Sequence, residues 1–474
     1  MRTLAAAAVL FLFLGGCAVG PDYRRPAVET PRSWRIEEED ARDAADTAWW
    51  EQMNDPVLNG LVAAALRGNN DVKIAAARVE EFAGRLSVSR GAILPQAGAD
   101  ASAGRERLSR KGLPPIPSTA VNLGNLYQAA AGASWEIDLF GRLRRATEAA
   151  RADFLATEEG KRATILSLVG SVVGEYVNLR DLDKQLEIAR RTARSRGESY
   201  RIFLLRFQGG VISEIELNQA KSEYEQALAT VPALERAVAQ QENALCALLG
   251  RNPGAIPRGV AIDNLGRPVV PAGLPSDLLE RRPDIRQAEQ ELIAANARIG
   301  VARAQYFPSI SLTGALGGTS TDLSALFGGP ARTWSYAVPV TVPIFAGGAI
   351  AGQVKVAEAQ REQLLLRYRQ TIQEAFRDVE DALADQLHTR EQMEAQERQV
   401  ETLRNYARVA RLRFNNGYTS YIEVLDAERS LFNAELAYTQ TRGAEYQALV
   451  NLYKAMGGGW VVKAERRASA GGGG

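Results

Sequence analysis

The stretch Arg206-Phe207-Gln208-Gly209-Gly210-Val211-Ile212-Ser213-Glu214-Ile215-Glu216 returns later as Arg413-Phe414-Asn415-Asn416-Gly417-Tyr418-Thr419-Ser420-Tyr421-Ile422-Glu423, with Arg, Phe, Gly, Ser, Ile and Glu in the same places. The match extends outward on both sides. Arg90-Gly91-Ala92-Ile93-Leu94-Pro95 parallels Arg303-Ala304-Gln305-Tyr306-Phe307-Pro308, and Ala247-Leu248-Leu249-Gly250 parallels Lys454-Ala455-Met456-Gly457, at offsets of about 205–213 residues. A chain written twice implies internal pseudo-symmetry.

Each copy predicts the same order of elements. A helix (about 56–91, then about 283–304) stops just before a proline, and two extended segments follow. Next come a very long helix (about 141–207, then about 349–414), a glycine-containing turn and a returning helix (about 212–249, then about 419–456). The first long helix has a seam of Ile165, Leu168, Val172, Tyr176, Leu179, Leu182 and Leu186; the second has Ile372, Phe376, Val379, Leu383 and Leu387. Steps of three and four residues are coiled-coil spacing. At 1.5 Å per residue such a helix is a rod of roughly 100 Å, which must lie beside other rods. Helices alone would suit a fibrous scaffold equally well.

The extended segments decide between the two. They fall at about 92–105, 126–139, 305–317 and 332–345. Ile310, Leu312 and Leu316 alternate with Ser309, Ser311 and Thr313; Tyr336, Val338, Val340, Val342 and Ile344 share one parity, opposite Ser335, Ala337 and Thr341. Ten-residue alternation between turn signals is the signature of membrane-barrel strands. Pro339 and Pro343 fit an irregular or edge end. Arg107 to Asn125 and Gly317 to Pro330 read as loops. Four strands cannot close a barrel, because bare edges in lipid leave backbone groups unsatisfied, so closure needs several copies. The fold class expected is mainly α with a membrane β-barrel portion.

Composition narrows the function. The 474 residues carry 57 Lys+Arg against 56 Asp+Glu, a single His and two Cys. Near-zero net charge argues against nucleic acid as a partner. One His and two Cys cannot build an ordinary zinc site. Mean hydropathy of −0.20, with no interior apolar run of about 18 residues, excludes a bundle of spanning helices. No Gly-x-x-x-x-Gly-Lys-Ser/Thr loop or nucleophile–base constellation is present, so the chain reads as no enzyme and energy must come from elsewhere. Cys246, in an apolar helical stretch, reads as small core filler.

Met1 to Gly16 reads as a signal peptide, with Arg2 as its positive start and Leu4 to Leu14 as its apolar core. It ends in Leu14-Gly15-Gly16-Cys17, which resembles a bacterial lipobox. That motif implies cleavage before Cys17 and a covalent lipid on its sulfur, with no other cofactor. Ala18 in the next position suits export onward to the outer membrane.

Nearly the whole mature chain resembles the TolC-like outer membrane efflux proteins, specifically the OprM-like lipoprotein subgroup serving resistance–nodulation–division pumps. The resemblance rests on Cys17-Ala18-Val19-Gly20-Pro21-Asp22-Tyr23, Trp49-Trp50 with Asp55-Pro56-Val57-Leu58, and Glu280-Arg281-Arg282-Pro283-Asp284-Ile285. It rests also on Ala295-Asn296-Ala297-Arg298-Ile299-Gly300-Val301-Ala302-Arg303 leading to Phe307-Pro308, and on Gly457-Gly458-Gly459-Trp460. It implies a homotrimer whose twelve strands form an outer-membrane barrel continuous with a helical periplasmic tunnel. A periplasmic adaptor and an inner-membrane pump would be its partners, beside outer-membrane lipid. The corresponding division is signal peptide 1–16, anchored segment 17–55, first repeat 56–250, linker 251–282, second repeat 283–457 and tail 458–474. The exit channel of a type I protein-secretion system shares this fold, and a coiled-coil adaptor is the alternative of a different class.

The hairpin tips are the expected periplasmic mouth. Ile422, Glu423 and Asp426 lie three or four residues apart on one helix face, and the resemblance places a constriction at the positions of Ile422 and Asp426. Three copies would make a carboxylate ring favouring cations. The first-repeat counterparts of Glu423 and Asp426 are Glu216 and Gln219. Relatives brace the closed tip with Tyr and Arg near Phe414, Asn415 and Thr419, where this sequence has other types. Gly209, Gly210, Val211, Asn416, Gly417 and Tyr418 form the tips; glycine permits the reversal, and the resemblance implies adaptor docking there. His388 reads as exposed, Trp49 and Trp50 as packing residues of the mixed equatorial belt that the resemblance implies, Glu37 to Asp40 as a solvated patch, Ala468 to Gly474 as disordered, and Tyr306, Phe307, Trp334 and Tyr336 as part of an interfacial aromatic girdle.

Overall fold

The structure, a computed structural model, describes residues 18–31, 33–36, 48–109, 111, 117, 119, 122–269, 275–457 and 461. The signal peptide, Cys17, Glu37 to Asp40, Gly458 to Trp460 and the tail from Val462 onward lie outside the described residues.

Duplication is visible in the helix lengths. Helices α1 (Pro56–Gly68) and α2 (Asn70–Gly91) open the first copy and α5 (Pro283–Ala304) the second. The long helices α3 (Arg142–Gln208) and α6 (Ala349–Asn415) have 67 residues each, and the returning helices α4 (Glu214–Leu248) and α7 (Tyr421–Ala455) have 35 each. Among the described residues no helix is long and apolar enough to cross a membrane.

The single helix expected over 56–91 is two. It breaks at Asn69, whose side-chain Oδ1 accepts from the amides of Asp71 and Val72 and so caps α2. Gly68 and Gly250 meet at this break: a Cβ on Gly250 would lie 2.2 Å from the Gly68 carbonyl oxygen. A continuous helix would have to give up that crossing.

The chain folds into two compact units, each drawn from matching parts of both repeats. Of the described residues, one comprises 18–27 with Arg78–Thr157 and Gln287–Tyr368; the other comprises those within Val28–Ala77, Glu158–Arg286 and 369–457.

The first unit holds the sheet, β1 (Gln96–Arg107), β2 (Leu123–Ile137), β3 (Ser309–Ser320), β4 (Arg332–Ala337) and the short β5 (Val340–Thr341), antiparallel in the order β1-β2-β3-β4 with β5 also on β3. Its register aligns like with like. Ala99 faces Ala131, Trp135 faces Leu312, Leu316 faces Trp334 and Ile310 faces Val340; on the other parity Ser102 faces Gln128, Ser134 faces Thr313 and Glu136 faces Ser311. Strand side chains alternate, so away from the hairpin turns one face of the sheet is apolar and the other polar or small, while Arg105 opposite Asn125, and Arg332, bring polar groups onto the apolar parity at the turn end. The expected continuous strand 332–345 is interrupted after Ala337 and ends at Thr341. Pro339 and Pro343 have no N–H to give the ladder, although the Pro339 carbonyl still accepts from Ser311. Trp334 and Tyr336 stack at 5.9 Å and are exposed, while Phe307 stacks on Phe140 at 4.6 Å.

A strap from Ala18 is pinned inside the same unit. Gly20, at φ +110°, crosses Gly300 so closely that a Cβ would sit 2.5 Å from the Gly300 Cα. Arg145 holds Asp22 at 2.6 Å and Arg25 holds Glu289 at 2.7 Å.

The second unit has the larger core, where Trp49, Leu58, Val172, Tyr176, Leu245 and Tyr446 are buried together. Trp49 stacks on Tyr453 at 4.7 Å, and Cys246 is buried and free. Asp55 ties this core together. Fully buried, it caps α1 by accepting from Val57 (2.9 Å) and Leu58 (3.3 Å) through Oδ1, and its Oδ2 accepts from the Tyr176 hydroxyl (2.7 Å) and the Val260 amide (2.9 Å). Asp55→Ala removes the cap and strands two buried donors, a loss of about 2–4 kcal/mol; denaturant unfolding in detergent checks it, and a change below about 0.5 kcal/mol would contradict this role.

Candidate gate and docking tips

Both hairpins turn the same way because both sequences supply glycine where the backbone becomes left-handed. Gly210 (φ +73°) and Gly417 (φ +74°) follow the ends of α3 and α6. The next residue reaches back, Val211 N–H to Arg206 carbonyl at 2.8 Å and Tyr418 N–H to Arg413 carbonyl at 2.9 Å. This is the Schellman closure of a helix end. It leaves Val211, Ile215, Tyr418 and Ile422 exposed at 73%, 70%, 77% and 57%, an apolar set at the two tips.

Behind the turns the copies differ. Phe203, Phe414 and Tyr421 form an aromatic triad, with centroids 4.0 Å apart for Phe203–Tyr421 and 5.2 Å for Phe414–Tyr421. Ala220, Ala410, Val424 and Ala427 complete this small core. Arg206 lies over the Phe414 ring at 5.7 Å. Burial pushes the Tyr421 hydroxyl above its ordinary pKa, opposed by a hydrogen bond with Ser199. Sequence reasoning singled out none of Phe203, Tyr421 or Arg413; the only signal was an aromatic at 203 where the second copy has Ala410.

Of the three residues placed on one face, Ile422 and Asp426 are exposed and Glu423 is turned toward the hairpin. Arg413 pairs with Glu423 at 2.9 Å, and the Thr419 hydroxyl donates to the same carboxylate. Asp426 is bridged by Arg429 one turn on, at 2.8 Å. In the first copy the counterpart Glu216 is used in a capping box with Ser213, accepting from its amide at 2.9 Å. Arg413, Thr419 and Glu423, together with the aromatic triad, brace the second hairpin. His388 is exposed and beside Glu391.

An open amphipathic sheet and two long helical hairpins with braced tips make up a recognisable whole. The profile of the family described as "Outer membrane efflux protein" matches residues 61–251 and 274–458. The chain belongs to that family. It is 36% identical over 472 residues to the "Probable efflux pump outer membrane protein TtgC" of Pseudomonas putida, covering 97% of this chain and 96% of that protein. It is 38% identical over 461 residues to the "Solvent efflux pump outer membrane protein SrpC" of Pseudomonas putida, covering 95% and 97%. Among solved structures, the open state of the Neisseria gonorrhoeae MtrE outer membrane channel superposes with a TM-score of 0.85 at 32% identity, over 94% of this chain and 99% of that one. This outer membrane efflux protein therefore has the fold of the family's channels, and its place is the outer membrane of a Gram-negative cell, extending into the periplasm.

The brace is testable. Phe203→Ala empties a buried aromatic site, which costs about 3–5 kcal/mol in a packed core. Amide hydrogen exchange should accelerate at both tips and not in the sheet; unchanged exchange at the tips would show that the triad does not hold them.

Proposed function

We propose that three copies of this chain close a barrel of about twelve strands in the outer membrane and a helical duct beneath it. Through this duct an energised inner-membrane pump of the resistance–nodulation–division type, joined by a periplasmic adaptor, discharges small toxic molecules. The observation that carries the reading is the sheet: its central rows sort apolar from polar side chains, yet the outer edges of β1 and β4 have no strand partner among the described residues. In lipid those edges must find another copy. The polar face, with Ser102, Gln128, Ser134, Glu136 and Thr313, then lines a wet lumen.

The lipid on Cys17 anchors the chain to the membrane, and the strap from Ala18 to Arg25 carries that tether to the sheet-bearing unit. The adaptor docks at Gly209, Gly210, Val211, Asn416, Gly417 and Tyr418, using the exposed Val211 and Tyr418. Ile422 and Asp426 narrow the mouth. Glu423 acts indirectly, through its bridge to Arg413. Because Arg429 shares each Asp426 carboxylate, removing the acid changes a ring of paired charges into three free cations.

Planar-bilayer recording tests this. The wild type should give pores that prefer cations, and Asp426→Ala should raise conductance or weaken that preference. Absence of pores would sink the duct, and unchanged currents would remove Asp426 from the gate.

A further inference from the structure

Charge is sorted across the sheet at its turn end. Strand β1 finishes in Arg105-Glu106-Arg107, and alternation sends the two arginines to one face and Glu106 to the other. Arg105 lies opposite Asn125 and Arg107 opposite Leu123, on the parity that carries Ala131 and Trp135, whereas Glu106 shares the parity of Ser102 and Ser134. Arg332 opens β4 opposite Gly318, on the parity of Trp334 and Tyr336. All three arginines therefore stand on the apolar face, beside the two hairpin turns. Each is exposed, and none of their side chains has a hydrogen-bond, ion-pair or ring partner among the described residues.

Other arginines of the same unit are committed to carboxylates: Arg142 to Glu136 at 2.7 Å, Arg145 to Asp22 at 2.6 Å and Arg303 to Glu358 at 2.7 Å. At the turn end the acid next in sequence, Glu106, is on the far side of the sheet. What lies along the apolar face beneath the arginines is graded. Moving away from the second turn, it passes from Arg332 to Trp334 beside Leu316, then to Tyr336, then to Leu312 and Ile310. Trp334 and Tyr336 are exposed and stack at 5.9 Å. Cation, aromatic ring and aliphatic chain, in that order, match a lipid monolayer read from headgroup to acyl tail.

The open side of Arg332 is fixed by its neighbour. Gly318 is covered by the second turn, since a Cβ there would stand 2.2 Å from the Leu326 carbonyl oxygen, so Arg332 is free only toward the outer edge of β4. Arg105 and Arg107 stand on β1, whose outer edge is equally bare. When copies close the barrel, β4 of one copy lies about 4.8 Å from β1 of the next, and both strands have their turn ends at the same rim. Arg105 and Arg107 are about 7 Å apart along the strand, a span that two guanidinium forks can close on one phosphate.

We propose that Arg332 of one copy, with Arg105 and Arg107 of the adjoining copy, binds the phosphate groups of an outer-leaflet lipid at each seam of the barrel. The helices α2, α3, α5 and α6 join the sheet at the end opposite the turns, so the turns face the cell exterior and the arginines meet the outer leaflet. A free phosphate ion would use the guanidinium groups alone; a phosphorylated lipid also covers Trp334, Tyr336 and Leu316. The proposal rests on the duct reading in bringing the β4 edge of one copy to the β1 edge of the next.

The test uses the full-length protein in detergent, with diphosphorylated lipid A as probe and native mass spectrometry as readout. Expected are saturable binding, and binding weaker by about tenfold or more when Arg105→Gln, Arg107→Gln and Arg332→Gln are combined. Glu106→Gln, on the opposite face of the same strand, should bind no more weakly than the wild type. Unchanged affinity in the triple variant overturns the site, as does weakened binding in Glu106→Gln. Two wild-type measurements need no variant to fold. Equal affinity for dephosphorylated lipid A overturns phosphate recognition, and displacement of the lipid by an equal concentration of inorganic phosphate overturns the lipid as occupant. Bilayer currents from the same preparation keep the two ideas apart: pores without phosphate-dependent lipid binding defeat the site alone, and such binding without pores defeats the duct alone.

Discussion

A strand in hydrocarbon must have every backbone N–H and C=O paired, and this chain supplies only part of a closed ladder. Its sheet pairs β1 to β2 to β3 to β4 and stops, with the register holding Ala131, Trp135, Leu316 and Trp334 to one face. A one-residue slip in any pair would send those side chains to the wet face. The same constraint reaches the helices. A 67-residue helix has far more surface than one returning helix can cover, so the edges of the sheet and the flanks of the helices make the same demand for further copies.

Within that framework the duplicated chain has kept its geometry and changed its chemistry. Helix lengths and tip turns agree between the copies, down to the left-handed glycines Gly210 and Gly417. The acids next to them do not. Glu216 is consumed in capping its own helix, while Glu423 crosses to Arg413 and Thr419. Phe203 has no aromatic counterpart at Ala410, and it is the large ring of the first copy that meets Phe414 and Tyr421 of the second. Symmetry thus builds the wall, and asymmetry at the tips distinguishes one hairpin from the other.

Much of this was legible because it depends on local rules. Periods of two and of three to four residues, prolines ahead of strands and glycines after helices are one-dimensional signals, and they placed every long element to within a few residues. Where the reading slipped at a helix, a neighbour distant in sequence was responsible, and where it slipped at a strand the cause was local. The helix over 56–91 breaks because Gly68 must pass Gly250, and the last strand shortens because two prolines withhold their N–H groups. Glu423 and Asp426 shared a face by spacing, yet only the returning chain shows that one is bound inward and the other bridged by Arg429.

The sequence by itself determined the duplication, the rods, the alternating strands and the exclusion of helical membrane spans, since each is a pattern along the chain and membership of the efflux family follows from it. The tertiary structure alone decided the register that sorts apolar from polar across four strands, the buried hub at Asp55 and the aromatic brace behind the tips. Those depend on residues far apart in the chain being brought within a few ångströms, and no linear spacing records which oxygen will meet which donor.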